Sequence, residues 1–358
     1  MRKYLVGGTL FLLAATAAWT IVGCSKPDAG GETIASVDGD DIKVQELREF
    51  LGVRGEGAQA SEVPVEQKRQ ALDRLVAGRL LARDARAKGL DNTEEFRDGV
   101  KRSDDAVLIT ALFQKEASKI KVSKGDVADE AKKLRAADKT LSEDNATLRA
   151  GRLVADSKLR KIEEDLIAAA KKETPPTINQ AEVDKLAKGG KLPDETVLAT
   201  VGGGKVTYGE VKVLLGRLSG GKHGGQDLST NPVAVARMLE RETMGKALVA
   251  HAKKQGIPGS EWEKSARRNM ERSILIDMIA EKEAATESAV SDKEVADAYA
   301  QHSQMFVKEG KKIPLSQVKD QIRAFLQNDK RKKALEAYIG DLKKKAKVTV
   351  NEGLFSKV

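Results

Sequence analysis

A mainly α-helical chain carrying small β-hairpins, arranged as two tandem copies, is the fold class that three observations predict. Charged residues make up 33% of the 358 residues and aromatics only 4%, the composition of long amphipathic helices. Apolar pairs recur every four residues, as at Val107-Leu108/Ala111-Leu112 and Ile274-Leu275/Met278-Ile279, so one helix face is buried. Two stretches of alternating residues are each interrupted by a hairpin signal, Asp38-Gly39 in one and Gly202-Gly203-Gly204 in the other.

The elements follow in order. Arg2 and Lys3 form a positive head, and Leu5 to Val22 is uncharged and rich in Leu, Ala and Val, the layout of an export signal. The chain's one cysteine, Cys24, stands at the border between this apolar run and the polar "SKPDAGGE". Ile21-Val22-Gly23-Cys24 resembles the lipobox of bacterial lipoproteins. That resemblance implies a signal peptide over 1–23, cleavage before Cys24, lipidation of its thiol and acylation of the new amine. The alternative for the same run is a single transmembrane anchor, because about 20 apolar residues span a bilayer. Each buried lipid methylene contributes about 0.8 kcal/mol and one chain alone holds weakly, so several acyl chains are needed for a firm anchor. Ser25, where an aspartate would retain such a lipoprotein in the inner membrane, implies the periplasmic face of the outer membrane. Residues 24–32 read as a flexible tether.

The first copy spans 33–186. It opens with "ETIASVDGDDIKVQEL" from Glu32, matched by "ETVLATVGGGKVTYGEV" from Glu195. "LDRLVAGRLLARDARAKGL" (72–90) matches "LERETMGKALVAHAKKQGI" (239–257) without a gap, and Gly89 and Gly256 fall where a helix ends in a left-handed residue. "VSKGDVADE" (122–130) matches "VSDKEVADA" (290–298), and Ser123/Asp126 and Ser291/Glu294 have capping-box spacing. "LIAAAKKETPPTIN" (166–179) lines up with "YIGDLKKKAKVTVN" (338–351). Lys/Ala-rich helices align readily, so a single match carries little. Five matches in one order carry the reading of a duplication. The Gly- and Pro-containing stretch 187–195 is the linker, and the second copy spans 196–358.

One copy resembles the chaperone module of SurA/PrsA-type peptidyl-prolyl isomerase proteins. The resemblance rests on the "ASVDGDDIKVQEL" start, the 72–90 helix, "VSDKEVADAYAQHSQMF" and the long final helix followed by "VTVNEGLF". It implies a helical-bundle chaperone module whose hairpin pairs with a C-terminal strand. In that family a parvulin catalytic domain follows the segment ending at Phe306. Here only "VKEGKK" separates Phe306 from Ile313, and Val122 to Leu153 is likewise too short to hold one. A parvulin site also needs paired histidines around a cysteine or aspartate, whereas His223, His251 and His302 lie in unrelated settings.

No catalytic residue, metal set or cofactor is expected. "SGGKHGGQ" (219–226) lacks the GxxxxGK[ST] spacing of a phosphate loop and reads as a flexible loop. His251, among Ala, Lys and Val, is expected at the bundle surface. The net charge of +9 points to a solvated surface, acidic lipids or acidic unfolded chains, not to nucleic acid in an exported protein.

Apart from Met1, every methionine lies in the second copy: Met238, Met244, Met270, Met278 and Met305, with Trp262 and Phe306 nearby. Methionine is flexible and polarizable and suits promiscuous surfaces. Two readings stand for Met238, Met244, Met270, Met305, Trp262 and Phe306: a client-binding groove, or ordinary core packing. Met278 belongs to the repeated buried face. In the last helix Val318, Ile322, Phe325, Leu326, Leu335, Tyr338, Ile339 and Leu342 form an apolar stripe broken by charge at Asp329 to Lys333. The expected function is a lipid-anchored periplasmic chaperone that holds unfolded or exported polypeptides without ATP. The alternatives are a peptidyl-prolyl isomerase and an accessory lipoprotein dedicated to one export or assembly machine.

Overall fold

A computed structural model of the chain describes residues 31–51, 63–222, 228, 231–285, 289–308 and 311–358. It is mainly helical. In chain order the elements are β1 (Thr33–Val37), β2 (Asp40–Lys43), α1 (Val44–Phe50), α2 (Val65–Ala87), α3 (Glu94–Arg102), α4 (Asp104–Ala117), α5 (Lys124–Ala137) and α6 (Glu143–Glu173). Next come β3 (Thr177–Ile178), α7 (Gln180–Ala187), β4 (Val197–Val201), β5 (Gly204–Thr207), α8 (Tyr208–Lys222), α9 (Pro232–Lys254) and α10 (Glu261–Ala285). The chain finishes with α11 (Asp292–Gln301), β6 (Val307–Lys308), β7 (Lys311–Lys312), α12 (Leu315–Lys345) and β8 (Val348–Val350).

Local chemistry places these elements where the sequence predicts. Both hairpins turn on consecutive positive φ angles, 49° and 92° at Asp38-Gly39 and 56° and 79° at Gly202-Gly203, which suit the twist of paired strands. Gly89 and Gly256 follow α2 and α9 at φ 72° and 68°. Ser123 and Ser142 accept hydrogen bonds from the amides of Asp126 and Asn145, and Ser291 and Glu294 complete a full capping box.

The repeat is visible element by element. Helices α2 and α9 each have 23 residues and begin 167 positions apart, at 65 and 232. Helices α6 and α12 each have 31 residues and begin 172 apart, at 143 and 315. A lysine clamp is repeated with them. Lys158 donates to the carbonyl of Lys121 and to Asp126, while Lys330 donates to the carbonyl of Ala289 and pairs with Glu294. The pair α3 and α4 corresponds to the single helix α10, starting at 94 and 261.

The copies are nevertheless not the compact units. Strand β1 pairs with β2 and with β8, the last strand of the second copy; β4 pairs with β5 and with β3, the last strand of the first. One unit is built on Ser103–Arg268. The other combines Gly31–Leu47, Val63–Arg102 and Asn269–Val358. The segments 33–186 and 196–358 are therefore repeat units that have exchanged elements. Each unit still contains one hairpin, one 23-residue helix, one 31-residue helix and one closing strand, and the chain crosses between units both between α3 and α4 and within α10.

Each unit has its own core. In the Ser103–Arg268 unit, Leu198, Val206, Val211, Leu215, Val235 and Leu239 pack around the hairpin. Val127, Ala146 and Ala150 hold α5 to α6. In the other unit, Leu81, Ala85, Leu275 and Ile279 gather Leu335, Ile339 and Leu342 of α12. Val295, Val318 and Ile322 hold α11 to the start of the same helix. The charged break at Asp329 to Lys333 thus falls between two separate apolar contacts of α12. Arg79, nearly buried, ties α2 to the hairpin side by a two-oxygen contact with Glu46 at 3.0 and 2.8 Å. Burial pushes neighbouring Arg272 down to about 10, with Arg79 acting in the same direction.

Because neither copy holds both partners of its own sheet, residues 31–190 and 191–358 produced separately are expected to be unfolded or self-exchanged dimers, and mixing them is expected to restore a cooperative melt. Circular dichroism with size-exclusion chromatography checks this; a monomeric, cooperatively melting 31–190 fragment contradicts it.

Candidate binding surface

The α11–α12 pair differs from its counterpart α5–α6 in how the two helices meet. In the first copy, α5 and α6 are joined by five residues, 138–142, and the contact is lined by small side chains, Ala131, Ala146 and Ala150. In the second, Tyr299, Val318 and Ile322 stand at the corresponding places, and 302–314 intervene, containing the β6–β7 hairpin.

The tip is organised around Tyr299. Its ring stacks on Phe306 with centroids 5.3 Å apart and planes 27° apart, and its hydroxyl donates to the Ile313 carbonyl at 2.6 Å. The Ile313 amide donates to the Phe306 carbonyl at 2.7 Å, closing the loop on itself. Lys312 lays its ammonium 5.2 Å from the centre of the Tyr299 ring. Phe306 is pinned inward by these contacts and half-buried. Its neighbours are not: Met305 is 77% exposed and Val307 47%. Phe325 on α12 is 69% exposed, and the corresponding residue of α6, Leu153, is 37% exposed. Scattered apolar residues on a surface are ordinary; here exposure recurs at one position of both long helices.

Charge fixes the base of the pair. Asp292 meets Lys319 at 3.0 Å and also Arg323, and Lys319 chiefly holds its carboxyl below the usual range. Lys330, helped by the Ser291 amide and hydroxyl, pulls Glu294 down to about 2.

The methionine set divides. Met305 is exposed, but Met238, Met244 and Met270 are buried, so the groove reading fails for these three and they pack the core. Trp262 and Phe306 are half-buried. Met278 is half-buried as well, next to the fully buried Leu275 and Ile279. His251 is also corrected: it is buried, with Nδ1 3.1 Å from Glu173 Oε2, and this contact chiefly lowers the Glu173 carboxyl. The histidine needed a polar partner to be buried, and α6 supplies one 78 positions away. His302 is exposed. Cys24, the signal segment and His223 lie outside the described residues. Among the described residues no group of three His, Cys, Asp or Glu side chains is placed to hold a metal, and no helix is long and apolar enough to cross a membrane.

Sequence reasoning missed Phe325 and Leu153 as surface residues. Phe325 lies in the apolar stripe of α12, and only its exposure in both repeats, not its spacing, sets it apart. Comparison with protein-family models, curated proteins and solved structures finds no match.

Glu294 titrates well below its ordinary 4.5 because Lys330 and the cap favour its charged form. Its contribution to stability is present above the ordinary value and is lost as pH falls from there through about 2. The Lys330→Ala variant is expected to move the Glu294 titration back toward 4.5, read by carboxyl NMR, and to loosen α11 while leaving the remainder folded.

Proposed function

We propose that this protein is a lipid-anchored chaperone of the periplasm, related to the SurA/PrsA type and lacking its parvulin domain, which holds unfolded exported polypeptides by non-covalent contact. The observation that carries the reading is the apolar material left in water at the α11–α12 tip and flank, Met305, Val307 and Phe325. Met305 is flexible and the Phe325 ring is flat, and both stand largely in water. They suit clients that share apolar character and little sequence. The inward stack of Tyr299 on Phe306 fixes the segment that carries Met305 and Val307, so that part of the surface is presented by a packed element.

The anchor at Cys24 belongs to the same proposal. It rests on the lipobox-like Ile21-Val22-Gly23-Cys24 at the end of an apolar run. Tethering concentrates a weak binder where its clients arrive, which raises effective affinity without any new contact. Mass spectrometry of the chain purified from envelopes is expected to find Cys24 as the acylated N-terminal residue; an unmodified thiol sinks the anchor.

Chaperone activity is tested with a urea-denatured outer-membrane protein diluted into buffer with the chain in molar excess. Light scattering is expected to fall. The Met305→Ser/Phe325→Ser double variant is expected to bind clients on the order of a hundredfold more weakly, since burying each such side chain is worth about 1.5 kcal/mol. Its helix content should be unchanged, because neither side chain is in the core. Unaltered scattering with the wild-type chain refutes the function; equal holding by the double variant refutes the surface.

A further inference from the structure

Each unit ends its sheet with a strand whose outer side is unused, β3 in one and β8 in the other. In β8 the Asn351 amide donates to Ile34 and the Lys347 carbonyl accepts from Asp38, and Thr349 stands opposite Ser36. Antiparallel pairing alternates, so the amides and carbonyls of Val348 and Val350 point away from β1. The first copy repeats this. The Asn179 amide donates to Leu198 and Thr177 stands opposite Thr200, which turns the amide and carbonyl of Ile178 away from β4. Among the described residues no hydrogen bond from another element reaches these outward groups. The side chains of Ile178 and Val350, 172 positions apart, are 39% and 42% exposed.

An open edge is a hazard that proteins normally blunt; here it is kept to two residues in β3 and three in β8, yet an aliphatic residue stands on it in both copies. The surroundings are cationic. Lys171 and Lys172 end α6 before β3, and Lys343, Lys344 and Lys345 end α12 before β8, with Lys347 exposed beside the strand. Lys343 pairs with Asp73 at 3.2 Å and Lys344 with Asp341 at 2.8 Å, and the carboxylates Glu173 and Glu352 are engaged by His251 and Arg69, so Lys171, Lys172, Lys345 and Lys347 carry the positive character.

We propose that β3 and β8 each add an extended client segment as a further antiparallel or parallel strand, one per unit, preferring alternating aliphatic residues flanked by acidic ones. This rests on the chaperone reading and names the client feature recognised. Main-chain bonds supply affinity indifferent to sequence, the aliphatic side chains add contact on alternate residues, and the lysines favour acidic flanks. Such segments abound in unfolded β-rich proteins.

The test uses the full chain and a short fluorescent peptide alternating valine and threonine between aspartates, followed by anisotropy. Two peptides per chain are expected. Ile178→Pro and Val350→Pro each should remove one, since proline abolishes an outward amide that the native ladder does not use. A peptide N-methylated on alternate residues, which cannot form the main-chain bonds, should bind about tenfold or more weakly. That comparison needs no protein variant, so misfolding cannot mimic it. Equal binding of the methylated peptide overturns the proposal, as does a wild-type dimer that the proline variants dissolve, which would make the edge a contact between copies. Suppressed aggregation together with indifference to N-methylation would defeat the edge proposal and leave the chaperone reading standing.

Discussion

Two strands joined by a tight turn do not hold in water by themselves, and everything in this fold follows from how the third strand is supplied. The hairpin β1–β2 buries Ile34, Val37 and Ile42, and the hairpin β4–β5 buries Leu198, Val201 and Val206. Each needs a neighbour to complete its ladder. That neighbour arrives at the end of a 31-residue helix, and for both hairpins it comes from the other copy. The final turn then locks in: Lys68, buried on α2, donates to the Phe355 carbonyl at 2.9 Å, and Leu354, Phe355 and Val358 fill the space beside it. The end of the chain is thereby structural for its beginning.

The exchange explains how so charged a chain, with so few aromatics, keeps ordered cores. A 31-residue helix, about 46 Å long, can bury one stripe against two different groups of partners. In α12, Val318 and Ile322 serve α11, and Leu335, Ile339 and Leu342 serve α2 and α10. Between them the stripe gives way to charge, where Lys330 reaches Glu294 and the Ala289 carbonyl. The copies diverge in the contact within the α5–α6 and α11–α12 pairs, as well as where α3 and α4 answer to the single helix α10. Alanines close α5 onto α6, whereas Tyr299, Phe306 and their exposed neighbours fill out α11 and α12.

Much of this was legible in the sequence, for a reason that also marks its limit. The turns at Asp38-Gly39 and Gly202-Gly203, the caps at Ser123 and Ser291 and the stops at Gly89 and Gly256 are decided within a few residues, and each stands where local chemistry puts it. The pairing of the hairpins is not local. A first copy that closed on its own β3 and one that borrows β8 share every local signal, because β3 and β8 are themselves repeats. The methionines failed for a related reason. Helical spacing places Met238 and Met244 on a face without saying whether that face meets water or Leu239 and Val235. His251 turned on one distant partner, Glu173.

The same dependence bears on when a surface of this protein exists. An edge strand offers bonds in register only after its inner side is paired, and β8 is paired by residues at the opposite end of the chain. While the chain is incomplete, Val348 and Val350 belong to no sheet and can neither select nor hold an extended partner. Pairing β8 with β1 turns one set of amides inward and sets the alternate set outward in a single step. The interior ladder and the open edge are thus two faces of one event. The β8 edge therefore exists only once the fold is finished, and until β8 arrives the side of β1 that it covers is the unpaired edge, so completing the fold exchanges an inner edge for an outer one.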